Sequence, residues 1–316
     1  MRVWVPYDEF VSDVEGLAPG LDVDVYKGDG FVPASIADVD FFVAPYAVTP
    51  EALVVTSEMS GMQVLQTLSA GYEHVLPYLP EGVTLCNARG VHDSSTAELA
   101  LALILASIRR IPEFVRGQER HEWLSQEYPA LADKHVLIVG YGSIGVAIER
   151  RLVPFEASVT RVARRARPDD AVHGTAELPS LLPEADVVVI VTPLTPETRH
   201  MVDADFLARM KSGALLVNVG RGGVVDTRAL LDALHAGRVR AALDVTSPEP
   251  LPADHPLWDA PGVLISPHVG GNSSAFLPRA RRMVREQVAR FVTGRPLENI
   301  VAGPGLPTPE PAAAKE

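Results

Sequence analysis

Three side chains of types that carry acid–base and anion-binding chemistry each come shortly after an apolar, strand-like run: Arg221, Glu249 and His268. In an open α/β sheet the loops at the carboxyl ends of the strands form the ligand-binding crevice, so we expect these loops to meet there. An arginine guanidinium can bind a carboxylate and polarise a neighbouring carbonyl. An imidazole can deliver a proton to an oxygen, and a carboxylate bonded to the ring orients it. The three residues therefore predict proton transfer at an oxygen beside a bound carboxylate.

The sequence Gly140-Tyr141-Gly142-Ser143-Ile144-Gly145 follows the strand-like run Val136–Val139 and opens a helical pattern. In this G-x-G-x-x-G arrangement Gly140 permits a tight turn, Gly142 lets the backbone approach a pyrophosphate, and Gly145 lets the helix lie close to the strand. The strand–turn–helix context makes the match much more specific than the letters alone. The sequence therefore predicts a bound nicotinamide dinucleotide and hydride transfer to a 2-keto acid.

The end of the next strand bears on the choice between NAD and NADP. An NAD site usually places Asp or Glu there, about 20 residues after the glycines, to bind the ribose hydroxyls. The run Val159–Val162 leads instead into Arg164 and Arg165, and the first carboxylate is Asp169. Two adjacent guanidinium groups can clamp a 2′-phosphate, although a solvated basic turn is the alternative. We expect NADP(H) to be the preferred cofactor, with NAD(H) possible.

Strand-like and helix-like segments alternate in two series, which predicts an α/β fold of two Rossmann-like domains with parallel, doubly wound sheets. A NAD(P)-binding domain of residues 96–274 is expected to be inserted into a discontinuous substrate domain of residues 1–95 and 275–302. A disordered tail of residues 303–316 is expected to follow, because that stretch is rich in Pro and Ala.

A long helix is predicted after Ser94, Ser95 and Thr96, which are candidate N-cap residues. It starts near Ala97, runs to about Arg110 and is apolar nearly all round. Such a helix is expected to be buried, between domains or between subunits.

Composition limits the classes of partner. The 316 residues carry a formal net charge of −12, which speaks against a nucleic-acid partner because phosphate contacts need clustered Lys and Arg. No apolar stretch is long enough to span a bilayer, and no metal site is predicted. Cys86 is the only cysteine, which excludes an internal disulfide and favours a cytoplasmic protein. Its apolar neighbours predict that Cys86 is a buried strand residue.

The sequence resembles the D-isomer-specific 2-hydroxyacid dehydrogenases, a family that includes glyoxylate/hydroxypyruvate reductases and phosphoglycerate dehydrogenases. The resemblance spans most of the chain and rests on these motifs: Ser69–Val75, Thr96–Glu98, Gly140–Gly145, Pro193–Thr198, Asn218–Gly222, Asp244–Leu251, His255–Trp258 and Pro267–His268. It implies reduction of a small 2-keto acid to its D-2-hydroxy acid, with Arg221, Glu249 and His268 as the catalytic triad.

The resemblance also implies further site residues. Backbone N–H groups around Ala70 and Gly71 would bind the substrate, together with Arg221 and His268. Cofactor contacts would fall on Ser143, Ile144, Thr192, Pro193, Val219, Asp244 and His268, with Asp244 a candidate partner of the nicotinamide amide. A homodimer built on the long helix is implied, and Trp123 would either pack locally or reach a partner's active site.

Two other functions stay open. A phosphite-type dehydrogenase, or an enzyme with an unusual hydride acceptor, would use the same triad, so that only substrate assays separate it. A non-enzymatic, dinucleotide-sensing regulator can also keep the triad, but the sequence carries no attached DNA-binding module and no basic patch. Glu249 speaks against formate dehydrogenase, in which Gln pairs with the His.

Overall fold

The computed structural model describes residues 1–306, which divide into two compact units. The first unit consists of Met1–His92 and the described residues from Ser274 onward, and the second of Asp93–Ser273. Each unit has its own sheet with helices, so the predicted α/β class is confirmed. Most of the predicted tail, residues 307–316, lies outside the described residues.

The first unit begins with β1 (Arg2–Val5), α1 (Val11–Val14), β2 (Asp22–Val25), β3 (Phe41–Val43), α2 (Pro50–Leu53), β4 (Val64–Gln66) and β5 (Thr84–Cys86). The second unit contains α3 (Asp93–Ile108), α4 (Ile111–Glu119), β6 (His135–Val139), α5 (Ser143–Leu152), β7 (Ser158–Ala163), β8 (Val172–Gly174), α6 (Leu178–Leu181), β9 (Val187–Ile190), α7 (Ala204–Arg209), β10 (Leu215–Asn218), α8 (Thr227–His235), β11 (Arg240–Leu243) and β12 (Val263–Ile265). The chain then returns to the first unit with α9 (Phe276–Val292) and β13 (Ile300–Ala302).

The sheet of the first unit has the strand order β13-β5-β4-β3-β1-β2. Its strands pair in parallel, as predicted, except the edge strand β13, which was not predicted and runs antiparallel to β5. The alternation of β1 shows how both faces become buried. Val3 and Val5 pack in the cluster that contains α9, whereas Trp4 packs in the cluster on the opposite face.

The sheet of the second unit has the order β12-β11-β10-β9-β6-β7-β8, and all its pairings are parallel. It also contains β8, which was not predicted from the sequence, because a three-residue strand ending in glycine gives little periodic signal. The strand order reverses between β6 and β9, and the ligand-binding crevice of an open α/β sheet lies outside the carboxyl ends of the strands at that point.

The long helix α3 begins at Asp93, four residues before the predicted start, and ends at Ile108. The predicted N-cap residues therefore lie inside its first turns, where Ser95 and Thr96 are buried. Ala97 and Ile104 are also buried, in the cluster that covers one face of the sheet of the second unit. The helix starts earlier than predicted because burial, rather than capping propensity, decides where its first turn forms.

Two further expectations concern Cys86 and membranes. Cys86 is fully buried in β5, as predicted, and burial raises the pKa of its thiol to about 12. Among the helices of residues 1–306, none is long and apolar enough to cross a membrane.

Candidate active site

The glycine turn of the second unit joins β6 to α5, as the sequence predicts. Gly140 has a φ of 108°, and a Cβ there would lie 2.6 Å from the carbonyl carbon of Val191. A Cβ on Gly145 would lie 3.1 Å from the Gly140 carbonyl oxygen, so this glycine allows the helix to pack closely on the turn. Ser143 and Ile144 occupy the first turn of α5, where amide N–H groups have no intrahelical partner. These amides form the anion-binding end of a ten-residue helix.

A second cradle follows β9 and β10. A Cβ on Gly220 would lie 2.7 Å from the carbonyl oxygen of Thr192, which keeps the two loops in close backbone contact. Thr192 is 8% exposed, and its hydroxyl makes no hydrogen bond within residues 1–306. A buried hydroxyl without a partner loses hydrogen-bond energy unless a ligand supplies one. The cradle and the hydroxyl therefore fit a bound dinucleotide. Val219 is buried beside this cradle, whereas Pro193 is exposed.

Four arginines near the end of β7 have different surroundings. Arg161 donates to both carboxylate oxygens of Glu149, and Arg167 donates to the carbonyl oxygen of Tyr141 over 3.0 Å. Arg164 and Arg165 are exposed and form no hydrogen bond or ion pair with residues 1–306. These two are the guanidinium groups that remain available to an external anion.

Glu249 and His268 are in direct contact. His268 Nδ1 donates a hydrogen bond to Glu249 Oε1, which leaves Nε2 of the ring for a substrate. The side chains of His268 and Glu249 are 47% and 37% exposed, so a small molecule can reach them. His268 has a φ of 52°, a left-handed conformation that is uncommon for residues other than glycine. Such a conformation persists only where the surrounding structure fixes it.

Asp244 fixes the loop that carries His268. This carboxylate is 3% exposed. It accepts hydrogen bonds from Ser266 Oγ at 2.6 Å, from the Val269 amide at 2.9 Å and from the Gly270 amide at 2.9 Å. The backbone carbonyl of Asp244 also accepts from the His268 amide at 2.8 Å. The candidate partner of the nicotinamide amide thus already holds the loop of the predicted acid.

Arg221 lies in the loop after β10, next to the loop of Glu249. Its Nη1 donates to the Gly220 carbonyl over 2.8 Å. The following residue, Gly222, has no room for a side chain, since a Cβ there would lie 1.8 Å from the carbonyl oxygen of Thr246. The structure therefore joins Glu249 to His268 directly and packs the Arg221 loop against the loop that leads to Glu249.

In the first unit, Ala70 and Gly71 lie in the loop after β4. Asn87 Nδ2 donates to the Ala70 carbonyl over 2.7 Å, and Ser69 Oγ donates to the Gly71 carbonyl over 2.6 Å. The N–H groups of Ala70 and Gly71 donate to no acceptor within the part of the chain that the structure describes. Side chains thus hold the carbonyls of Ala70 and Gly71, while the amides of the same two residues remain available to bind an anion.

Comparison with known proteins identifies the family. Residues 101–270 match the sequence profile of the D-isomer specific 2-hydroxyacid dehydrogenase, NAD binding domain. The glyoxylate reductase/hydroxypyruvate reductase of Mus musculus is 38% identical over 224 residues, covering 67% of this chain and 68% of the mouse protein. A glyoxylate/hydroxypyruvate reductase B of Pectobacterium atrosepticum is 38% identical over 221 residues, 66% of this chain and 69% of that protein. The chain belongs to the D-isomer-specific 2-hydroxyacid dehydrogenase family.

Solved structures agree with this assignment. The dehydrogenase is similar to a D-isomer specific 2-hydroxyacid dehydrogenase from Xanthobacter autotrophicus in complex with NADPH and MES, with a TM-score of 0.82, 29% identity and coverage of 96% of this chain and 98% of that chain. An NADPH-dependent glyoxylate/hydroxypyruvate reductase from Sinorhizobium meliloti in complex with NADP and sulfate gives a TM-score of 0.81 at 29% identity, with coverage of 96% and 98%. The predicted family and Rossmann-type fold are confirmed, and the protein is an oxidoreductase that acts on CH–OH groups.

Several contacts that shape the dehydrogenase's site were not predicted from the sequence. Asn87 and Ser69 hold the loop of the first unit, Gly222 allows two loops of the second unit to touch, and Arg167 contacts the glycine turn. The Gly-Gly pair after Arg221 was a signal of close backbone approach. The other three act through side-chain contacts with backbone carbonyls, which no local pattern encodes.

Proposed function

We propose that this dehydrogenase reduces a small 2-keto acid, such as glyoxylate or hydroxypyruvate, to its D-2-hydroxy acid and prefers NADPH to NADH. The observation that carries the proposal is the contact between Glu249 and His268, because it leaves an exposed imidazole nitrogen oriented for proton transfer. The relatives named glyoxylate/hydroxypyruvate reductase support the substrate class.

The proposed roles follow from the chemistry of each group. A bound NAD(P)H supplies the hydride for the keto carbon. His268 Nε2 gives its proton to the oxygen that becomes the hydroxyl, and Glu249 orients the ring. Arg221 binds the carboxylate and polarises the carbonyl, since a guanidinium forms charge-assisted hydrogen bonds with both.

Substrate and cofactor contacts outside the triad are part of the proposal. The open amides of Ala70 and Gly71 bind the substrate carboxylate, in addition to Arg221. The turn Gly140–Gly145, including Gly142, Ser143 and Ile144, binds the pyrophosphate. Further cofactor contacts come from Thr192, Pro193, Val219, Asp244 and His268.

The proposed preference for NADP(H) rests on Arg164 and Arg165, which have no protein partner to leave before binding a 2′-phosphate. Two structural neighbours that contain NADPH or NADP support it. The carboxylate of Glu197 is expected to weaken the binding of the 2′-phosphate. A hydrogen bond from Thr195 and, more weakly, the charge of Arg164 lower the pKa of Glu197. The Glu197 charge thus lies within electrostatic reach of Arg164, and we expect the phosphate to compete with it.

The test of the proposed function follows cofactor absorbance with glyoxylate, hydroxypyruvate and pyruvate, using NADPH and NADH in parallel. Phosphite is assayed with NADP⁺ and NAD⁺ instead, because it is oxidised and donates the hydride. We expect turnover of at least one 2-keto acid and a higher kcat/KM with NADPH. Replacing Arg164 with Asp should shift that preference toward NADH. Turnover of phosphite alone, or tight dinucleotide binding without any turnover, would overturn the proposed reaction.

Variants of the triad test the assigned roles. We expect His268→Ala to lower kcat by about 10²–10⁴-fold, as for other general acids, and Arg221→Ala to lower kcat/KM strongly. Cofactor binding, measured by NADPH fluorescence titration, should stay intact in Arg221→Ala and weaken only slightly in His268→Ala, because the other cofactor contacts remain. His235→Ala is the matched control, since His235 is an exposed histidine of α8 whose ring, within residues 1–306, bonds only the Leu231 carbonyl. Normal turnover in either triad variant would contradict its role.

We also propose that the protein is a homodimer. In the second unit α4 and the loop after it expose the apolar side chains of Ile111, Val115, Trp123 and Leu124, at 45%, 53%, 93% and 40%. Trp123, Leu124 and Phe114 line a groove of about 670 Å³ that several apolar side chains of a second copy would occupy. Light scattering after gel filtration should give the mass of a dimer, and Trp123→Asp should shift it toward the monomer. A monomeric wild type would refute this part.

A further inference from the structure

Arg167 connects the glycine turn, which would bind the pyrophosphate of a dinucleotide, to the segment that would bind its 2′-phosphate. Its Nη2 donates to the carbonyl oxygen of Tyr141, which lies between Gly140 and Gly142, over 3.0 Å. Its Nε lies 3.5 Å from Oδ2 of Asp170. The guanidinium therefore bridges the glycine turn and the three-residue 3-10 turn Pro168–Asp170 that follows β7.

The backbone of Arg167 is fixed as well. Its amide donates to the Val172 carbonyl over 2.8 Å, and the Val172 amide donates back over 3.1 Å. At the other end Ala163 is the last residue of β7 and pairs with Gly174 of β8. Residues 163–167, which we name the arginine turn, are thus anchored at both ends. Arg164 and Arg165 lie between the two anchors.

Tyr141, whose carbonyl Arg167 contacts, is itself fixed by side-chain contacts. The Tyr141 hydroxyl donates to Glu149, and the Arg161 guanidinium lies 5.3 Å from the centre of the Tyr141 ring. Arg161 also forms a forked contact with Glu149, whose side chain is 13% exposed. Because Tyr141 is fixed in this way, the contact of Arg167 with its carbonyl oxygen holds the arginine turn in a defined position. A contact with a mobile loop would not do so.

We propose that Arg167 is a positioning residue for NADP(H) binding, because it fastens the arginine turn to the glycine turn and so presents Arg164 and Arg165 in a fixed geometry to the 2′-phosphate. This proposal rests on the proposed cofactor preference. Its energetic basis is preorganisation, since ordering a loop and two long side chains only on binding would reduce affinity. The guanidinium of Arg167 already contacts protein groups, whereas those of Arg164 and Arg165 do not within residues 1–306. Its role therefore differs from theirs.

The test compares Arg167→Met with Arg209→Met by isothermal titration calorimetry of NADP⁺ and NAD⁺. Arg209 is the matched control, because it is 45% exposed and pairs with Asp205 on α7, and Arg167 is 44% exposed and pairs with Asp170. The quantity of interest is the ratio of the NAD⁺ dissociation constant to the NADP⁺ dissociation constant. We expect Arg167→Met to lower this ratio about tenfold, the worth of one well-formed contact, and Arg209→Met to leave it unchanged.

Two further measurements keep the proposal open to refutation. Arg167→Lys can still donate to the Tyr141 carbonyl, so its ratio should lie between those of the wild type and Arg167→Met, with a melting temperature near that of the wild type. An equal loss of affinity for both cofactors, or a ratio that Arg167→Met leaves within twofold of the wild type, would overturn the positioning role alone. A wild-type ratio below one would overturn the cofactor preference and, with it, this inference.

Discussion

The two units hold their functional loops in different ways. In the second unit the loops after β10, β11 and β12 are fixed by close backbone contact at Gly222 and by the buried carboxylate of Asp244. In the first unit the loop after β4 is fixed by the side chains of Ser69 and Asn87, and a buried amide network ties β4 to α9. The loops of the second unit therefore depend on a glycine at a particular place as well as on hydrogen bonds, whereas the loop of the first unit depends on hydrogen bonds from side chains to its carbonyls.

The largest effect is expected from Gly222→Ala. The added Cβ would lie 1.8 Å from the Thr246 carbonyl oxygen, and backbone on both sides would have to move. Overpacking of this kind costs about 3 kcal/mol of unfolding free energy or more, and we expect turnover to be lost as well. Gly174→Ala is the control, since its Cβ would be 3.5 Å from its nearest neighbour and its φ is −86°. Equal urea midpoints for the two variants would contradict the packing argument.

The next effect concerns the carboxylate that holds the His268 loop. Asp244→Asn keeps the shape but replaces an acceptor oxygen with a donor that faces amide N–H groups, so we expect kcat to fall about 100-fold. Ser266→Ala removes only one of the three donors to Asp244 and should lower kcat less than tenfold. If Asp244→Asn instead weakened NADPH binding and left kcat intact, contact with the nicotinamide amide would be its main role.

The sequence allowed the second unit to be read more completely than the first. Alternating apolar runs, the glycine turn and polar residues after strands are local signals, and they identified the contact pair Glu249 and His268. The antiparallel strand β13 and the open amides of Ala70 and Gly71 depend on chain segments that are distant in sequence. Asn87, for example, acts on a loop 17 residues earlier, and its spacing matches no helix or strand period.

A smaller effect is expected from the amide network of the first unit. Gln287 is 2% exposed, and its side chain bonds Gln66 Oε1 at 2.9 Å and both backbone groups of Glu298 at 2.9 and 3.0 Å. Gln287→Leu leaves the buried Gln66 oxygen without this hydrogen bond and removes the bonds to the Glu298 backbone, which should lower the unfolding free energy by about 2 kcal/mol. The double variant Gln66→Leu/Gln287→Leu should lose less than the sum of the single variants, because the shared bond is then counted once. Additive losses in urea unfolding would show that the two amides act independently.

The smallest effect tests whether the ionic contacts of the carboxylates in and beside the two sheets also differ between the units. Burial alone would raise the pKa of Asp186 in the second unit, but hydrogen bonds from the His135 amide and Lys211 lower it. In the first unit burial alone would raise the pKa of Asp24, but hydrogen bonds from Ser35 and Arg2 outweigh it and lower this pKa.

A carboxyl group with a lowered pKa in the folded state stabilises the fold fully above the ordinary carboxyl range of about pH 4. This stabilisation is lost as the pH falls through the folded-state pKa. We therefore expect Asp186→Asn and Asp24→Asn each to lower Tm by roughly 2 °C at pH 7 and to converge with the wild type in acid, as measured by differential scanning calorimetry. If the two variants give similar curves of Tm against pH, the ionic contacts do not differ between the units, and the difference lies in their buried contacts. A Tm difference from the wild type that persists at pH 2 would contradict the charge argument.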